Sequence, residues 1–237
     1  MGPQTTATTD PSHATHHNDK AVRARQGEYM TRSQEVQDLV DLFEAEARRD
    51  RDPEETPEVG IVMGSDSDLE TMYGAYEALT ELGFAEVTDY DDPPDARFTF
   101  ETYVVSAHRT PGLMYAYAET ARARGLDVVI AGAGGKSADL PNMTASIAYP
   151  LPVIGVPVHE RSVNSVIGMP RGAPIVAVDA GKSFNAALSA VQVLARAHPE
   201  LDERLEAYHD ALQDEVGAVS KRLHREGTER FRESADR

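Results

Sequence analysis

The chain has 237 residues, 41% of them apolar, enough for one sizeable core with extensions or at most two small domains. Forty acidic residues against 23 basic ones leave a formal charge of -17, which argues against wrapping nucleic acid or lying on an anionic membrane surface. The absence of cysteine excludes disulfides, thiolate metal sites and cysteine nucleophiles.

The opening "MGPQTTATTDPSHATHHNDK" has no apolar core of the kind a secretory signal needs. Apolar runs such as 128–133 are strand length, far short of the roughly 20 residues of a membrane span. A cytoplasmic protein acting on small molecules is the expectation. Only four of the basic residues are lysine (Lys20, Lys136, Lys182 and Lys221). With so acidic a surface, this reads as adaptation to high salt, where screening relieves self-repulsion.

Residues 1–30 are polar and lack apolar periodicity, which predicts a disordered arm. Its "HATHH" (His13, His16, His17) reads as solvated tail rather than metal site. Residues 31–58 read as a short helix and a linker. "SQEVQDLVDLFEAEARR" sets Val36, Leu39, Val40 and Phe43 at helical spacing behind Ser33 as a cap, and "DRDPEETPE" ends it.

From Val59 the character changes to five apolar, β-rich runs, at 59–64, 102–107, 127–135, 151–158 and 173–181, with helical stretches between them. This alternation predicts a three-layer α/β domain over 59–198, its parallel sheet covered on both faces. Five strands suit the doubly wound, flavodoxin-like order 2-1-3-4-5. Residues 199–237 read as a long amphipathic helix whose apolar face calls for cover, a neighbouring subunit being the natural candidate.

In such sheets ligands bind beyond the carboxyl ends of the strands, and the unusual residues fall there. The first run ends in "MGSDSD". Gly64 would permit a tight turn, Ser65 and Ser67 open a helix whose N-terminus can hold phosphate, and Asp68 either caps that helix or binds a sugar hydroxyl. The second ends in Ser106, Ala107, His108, Arg109, Thr110 and Pro111. Pro111 suits a first helical turn with Thr110 as its cap. Capping does not explain His108 or Arg109; arginine supplies a bidentate phosphate clamp, and histidine moves protons near neutrality.

The third run ends in "AGAGGKSADLPNM", where Gly132, Gly134 and Gly135 let backbone approach a ligand and Lys136 and Ser137 can meet an anion. It is not a Walker loop, because residue 130 is isoleucine where that spacing needs glycine. The second "GKS", at 181–183, reads as a helix start, and His159 in "GVPVHE" as a solvated loop residue.

The ordered motifs "GIVMGSDSD", "VVSAHRTP", "VVIAGAGG", "LPVIGVPV" and "MPRGAPIVAV" resemble the PurE family of purine biosynthesis, over about residues 59 to 195. The resemblance implies a 5-(carboxyamino)imidazole ribonucleotide mutase. Its carboxylate moves from the exocyclic amine to ring carbon 4 without ATP, metal or organic cofactor. A second branch, the aminoimidazole ribonucleotide carboxylases, makes the same product from free carbon dioxide.

On this resemblance Ser65, Asp68 and Arg109 hold the ribose phosphate end, beside Gly64 and Ser106, and His108 is the proton shuttle. The loop 134–143, with Gly134, Gly135, Lys136, Ser137 and Asp139, closes over the carboxylate. The resemblance further implies homo-octamers whose active sites draw on neighbouring subunits. One departure concerns the chemistry: the mutase branch carries "GGAAHLPGM", whereas "GGKSADLPNM" is one residue longer and lacks the histidine. Asp139 or Lys136 takes its place, or the role is absent. "GKSADL" is similar to the carboxylase branch's "GRSNGL", while "AHRTP" is the mutase form, so the branch stays open. A non-catalytic nucleotide-binding paralogue is a third reading, against which His108 and Arg109 argue. The first 58 residues match nothing in the family pattern.

Overall fold

Each of the five apolar runs contributes a strand to one parallel sheet. The structure, a computed structural model, describes residues 33–52 and 55–235, so the arm expected over 1–30 and its histidines lie outside the described residues. The strands are β1 (Val59–Met63), β2 (Ala85–Glu86), β3 (Thr99–Val104), β4 (Val128–Ala133), β5 (Val153–Pro157) and β6 (Val176–Ala177). Their order is β2-β3-β1-β4-β5-β6, with every neighbouring pair parallel. Without β2, this is the expected 2-1-3-4-5 order.

Three strand expectations need correction. Strand β2 adds two edge residues that are too few to show any periodicity. Strand β3 starts and ends three residues before the expected 102–107, because Phe98 and Phe100 are fully buried and draw "FTF" into the sheet. Ser106 and Ala107 therefore belong to the turn. Strand β6 keeps two residues of the expected 173–181, at the sheet edge where Pro174 can donate nothing to a ladder.

The helices are α1 (Gln34–Glu46), α2 (Leu69–Glu81), α3 (Pro111–Thr120), α4 (Asp139–Ile147), α5 (Val163–Ile167), α6 (Ser183–Leu194), α7 (Pro199–Glu226) and α8 (Thr228–Ala235). One face of the sheet is covered by α2, α6 and the start of α7. Met72, Ala75, Leu79, Ala186, Ala190, Val191 and Leu201 bury themselves there with Ile61, Met63, Ile130 and Phe100. Small alanines on α2 and α6 let the two helices lie close together. The other face takes α3 and α4; Gly60 looks that way, and a Cβ on it would strike the Tyr117 hydroxyl of α3.

The chain divides into two units, Met1–Asp38 and Leu39–Arg237. The described part of the first is the start of α1, where the Ser33 hydroxyl accepts from the Val36 amide at 3.4 Å, as the capping expectation requires. Within the second unit, Phe43 is fully buried, edge-on to Tyr103 and Tyr117 with ring centroids 4.8 and 5.3 Å away. Its ring also lies 4.7 Å from the Arg124 guanidinium.

Arg124 forms a wholly buried ion pair with Glu101, Nη1 standing 2.6 Å from each carboxylate oxygen. The same nitrogen donates to the Tyr90 hydroxyl at 3.0 Å, and Nε donates to Thr120 Oγ1 at 3.2 Å. The Tyr90 hydroxyl in turn donates to Glu101. Burial pulls the Arg124 pKa down, but Glu101, Tyr117 and Tyr90 outweigh it, so the guanidinium is held above its ordinary range. Burial drives the Tyr90 phenol upward, keeping it a neutral donor.

Glu58, just before β1, is a second buried carboxyl. It accepts from the Thr99 amide at 2.7 Å and from Arg97 at 3.3 Å, yet desolvation pushes it up to about 7. The unfolded carboxyl titrates near about 4.3. Folding therefore favours the protonated form: this stabilisation is complete below the unfolded value and is lost as pH rises through about 7. Glu58→Gln, which keeps an acceptor for Thr99, should thus gain stability relative to the wild type between these limits, by on the order of 3 kcal/mol. Urea unfolding at several pH values checks this, and parallel pH profiles for the two proteins would refute it.

Candidate functional site

The parallel registers bring the carboxyl ends of four strands level. Met63 lies opposite both Val104 and Gly132, and Ala133 opposite Pro157. The loops that follow β1, β3, β4 and β5 consequently converge on one cavity of about 330 Å3, beside the switch point where the chain crosses from one side of β1 to the other.

The loop after β1 supplies Gly64, Ser65, Ser67 and Asp68. Ser65 caps a short 3-10 turn (Asp66–Asp68): its hydroxyl accepts from the Ser67 amide at 3.4 Å and donates to Asp66 at 2.9 Å. Asp68 makes no side-chain cap bond to α2, which removes the capping alternative for it. It is nearly buried, and that burial pushes its carboxyl above the usual range, against the opposing pull of His159 and Arg109. Gly64 does not make its turn with positive φ, and a Cβ there would meet its nearest neighbour at 3.5 Å. The turn that Gly64 was expected to permit therefore does not require glycine. Gly134 is the constrained position, since a Cβ on it would stand 2.7 Å from Asp68 Oδ1.

The loop after β3 brings Ser106, Ala107 and His108 to the cavity. Thr110 does not cap α3 with its side chain, contrary to expectation. Its hydroxyl reaches back instead, accepting from the Ser106 amide at 2.9 Å and donating to the Ser106 carbonyl at 3.3 Å. The Ser106 hydroxyl accepts from the Arg109 amide at 3.2 Å, and this tight turn fixes where His108 leaves the backbone. Arg109 Nη2 donates to the Gly64 carbonyl at 2.9 Å and ties the first two loops together at the edge of the cavity rather than on its wall.

From the loop after β4 come Gly134, Gly135, Ser137 and Asp139; Lys136, exposed, does not line the cavity. Asp139 opens α4, and its Oδ2 lies 3.0 Å from His108 Nε2, an ion pair when the imidazole is protonated. Both side chains stay accessible, at 62% and 42% exposure, so a ligand can reach the pair. The loop after β5 adds His159 and Arg161, the latter donating from Nε to the Gly134 carbonyl at 3.2 Å. His159, expected as a solvated loop residue, is exposed yet lines the cavity, and Arg161 carries no sequence expectation. Their position directly beyond a strand's carboxyl end was the available signal.

A second cleft, of about 260 Å3, lies by the amino ends of β1 and β4. Four of its five arginines are engaged by carboxylates: Arg49 by Asp91 at 2.5 Å, Arg51 by Glu46 at 2.9 Å, Arg97 by Glu58 at 3.3 Å and Arg124 by Glu101 at 2.6 Å. The chemistry-bearing residues lie at the opposite end of the sheet.

Fold and cavity define a doubly wound α/β protein with a small polar crevice at its switch point, furnished with a histidine–carboxylate pair, serines and flanking arginines. Residues 58–215 match the family AIR carboxylase, and the chain belongs to that family. It is 46% identical over 177 residues to a protein of Mycobacterium tuberculosis named N5-carboxyaminoimidazole ribonucleotide mutase, a match covering 72% of this chain and 92% of that one. A Pyrococcus horikoshii protein of the same name is 40% identical, with 75% and 94% covered. Among solved structures, Treponema denticola PurE covers 70% of this chain and 98% of its own at a TM-score of 0.57, and at 21% identity it speaks for the fold alone.

Proposed function

We infer that this chain is an N5-carboxyaminoimidazole ribonucleotide mutase of de novo purine biosynthesis. The observation that carries the reading is the His108–Asp139 pair, held at 3.0 Å on the wall of the switch-point cavity in a chain of this family. Ser65, Asp68 and Arg109 bind the ribose phosphate end, with Gly64 and Ser106 shaping that side. His108 delivers a proton to the exocyclic nitrogen as the nitrogen–carboxyl bond breaks and carbon dioxide departs. Ring carbon 4 then attacks the carbon dioxide, and the proton it sheds returns to His108, so the step is a net isomerisation. Asp139 stands where the mutase branch has its loop histidine and orients the imidazole. Gly134, Gly135, Lys136 and Ser137 belong to the loop that covers the carboxylate and retains carbon dioxide by excluding water.

The working form is a cytoplasmic homo-octamer adapted to high salt. Support comes from α7, where Leu201, Leu205 and Tyr208 join the core while Leu212, Val216, Val219 and Leu223 continue the same stripe exposed to solvent. The charge of -17 and the four lysines support the salt requirement.

The test is product formation in high salt from either the carboxyamino nucleotide or aminoimidazole ribonucleotide plus bicarbonate. Rapid conversion of the former at low bicarbonate is expected. Turnover only from the latter at modest carbon dioxide would make the protein a direct carboxylase. Nucleotide binding without turnover would make it a non-catalytic paralogue.

A further inference from the structure

An arginine that lines the switch-point cavity and has no acidic neighbour keeps its guanidinium open to an anionic ligand. Arg161 is such a residue: among the described residues, no carboxylate lies within ion-pair distance of its guanidinium. Its position is nevertheless fixed. It lies in a short 3-10 turn (Glu160–Ser162) directly after β5, anchored by the fully buried Ser162, whose amide donates to the His159 carbonyl at 2.8 Å. Val158 ties the same loop to β4 through the Ala133 carbonyl at 3.1 Å. The Arg161 Nε bond to the Gly134 carbonyl then leaves Nη1 and Nη2 for a ligand. Arg161 lines the cavity that holds His108 and Asp139.

The cavity walls otherwise carry two carboxylates, Asp68 and Asp139, which repel an anion. A substrate with two separate anionic groups needs two cationic poles. Arg109, bonded to the Gly64 carbonyl, serves the β1 and β3 side. Arg161 stands on the far side, where β4 and β5 end.

We propose that Arg161 is the specificity residue for the migrating carboxylate, gripping that group with its terminal nitrogens while the phosphate is held at the opposite end of the cavity. This rests on the mutase reading above. A planar guanidinium matches a carboxylate with two parallel hydrogen bonds and offers nothing comparable to neutral carbon dioxide. Arg161 therefore distinguishes carboxylated nucleotide from the decarboxylated intermediate.

The experiment measures dissociation constants by titration calorimetry in high salt, for 4-carboxy-5-aminoimidazole ribonucleotide and for aminoimidazole ribonucleotide, which lacks the carboxylate. Arg161→Gln should weaken the carboxylated ligand roughly tenfold to a hundredfold and change the other less than about twofold. Arg161→Lys, which retains the charge but not the fork, should fall between, and its unchanged Tm would exclude a folding defect. Equal loss for both ligands would put Arg161 on the phosphate or in a purely structural role and overturn the proposal, as would no loss for either. If the wild type binds neither nucleotide, the mutase reading itself falls, and this proposal with it.

Discussion

Replacing His108 with asparagine is expected to slow conversion of the carboxyamino nucleotide by about 10²–10⁴-fold, the usual worth of a positioned proton-transfer group. Asparagine is too short to replace Nε2 at Asp139, but the Ser106, Arg109 and Thr110 bonds hold the turn without the imidazole, so loop geometry survives while the group that takes up and returns a proton is lost. The side chain is 62% exposed and its pair with Asp139 is open to water, so folding should be affected by less than about 1 kcal/mol. Initial rates, product affinity and Tm together make the check. A lost rate with retained affinity and Tm fits a proton carrier; lost affinity in proportion to rate would demote His108 to a binding group.

The largest stability effect is expected from Glu101→Gln. The substitution preserves size and an acceptor for Arg124, yet it leaves a guanidinium with no exposure to water without its countercharge. Breaking one side of such a pair costs about 3–5 kcal/mol, a large fraction of the 5–15 kcal/mol typical of a folded domain. Replacing both members together, Glu101→Leu with Arg124→Leu, should recover much of the loss, because the cost lies in the stranded charge more than in the missing attraction. Urea unfolding of the single and double variants in constant high salt measures both. If the single variant unfolds at the wild-type midpoint, water must reach Arg124.

Legibility in the sequence followed how locally each feature is encoded. Strands β1, β4 and β5 are continuous apolar runs because both faces of the sheet are covered, and such runs need no partner to be recognised. Strand β3 begins earlier than its sequence pattern suggests because its first residues closely follow "DYDDPPDAR", a true loop whose acids and prolines mask the strand start at Thr99. His108 and Arg109 stand out in the sequence because capping leaves a histidine and an arginine at a strand end unexplained, whereas the roles expected of Ser65, Asp68 and Asp139 rest on the family resemblance. The 3.0 Å His108–Asp139 contact was not legible, because it joins loops 31 residues apart in number, 139 less 108, and only the sheet register brings them together. Arg161 and His159 carry ordinary surface chemistry and stay exposed; only the fold sets them beside the loops that follow β1, β3 and β4. The same holds for Glu101 and Arg124, charges that a linear reading assigns to solvent and that the structure hides behind Phe43.

That aromatic lid separates two boundaries that usually coincide. Kinship with the family begins at residue 58, but the folded unit already includes Phe43, whose ring closes over Tyr103, Tyr117 and the Arg124 guanidinium. A chain shortened to the start of the family match would open an oily window onto a buried charge. A residue outside the family match is part of the protein's interior, and the family match and the folded unit have their edges at different residues.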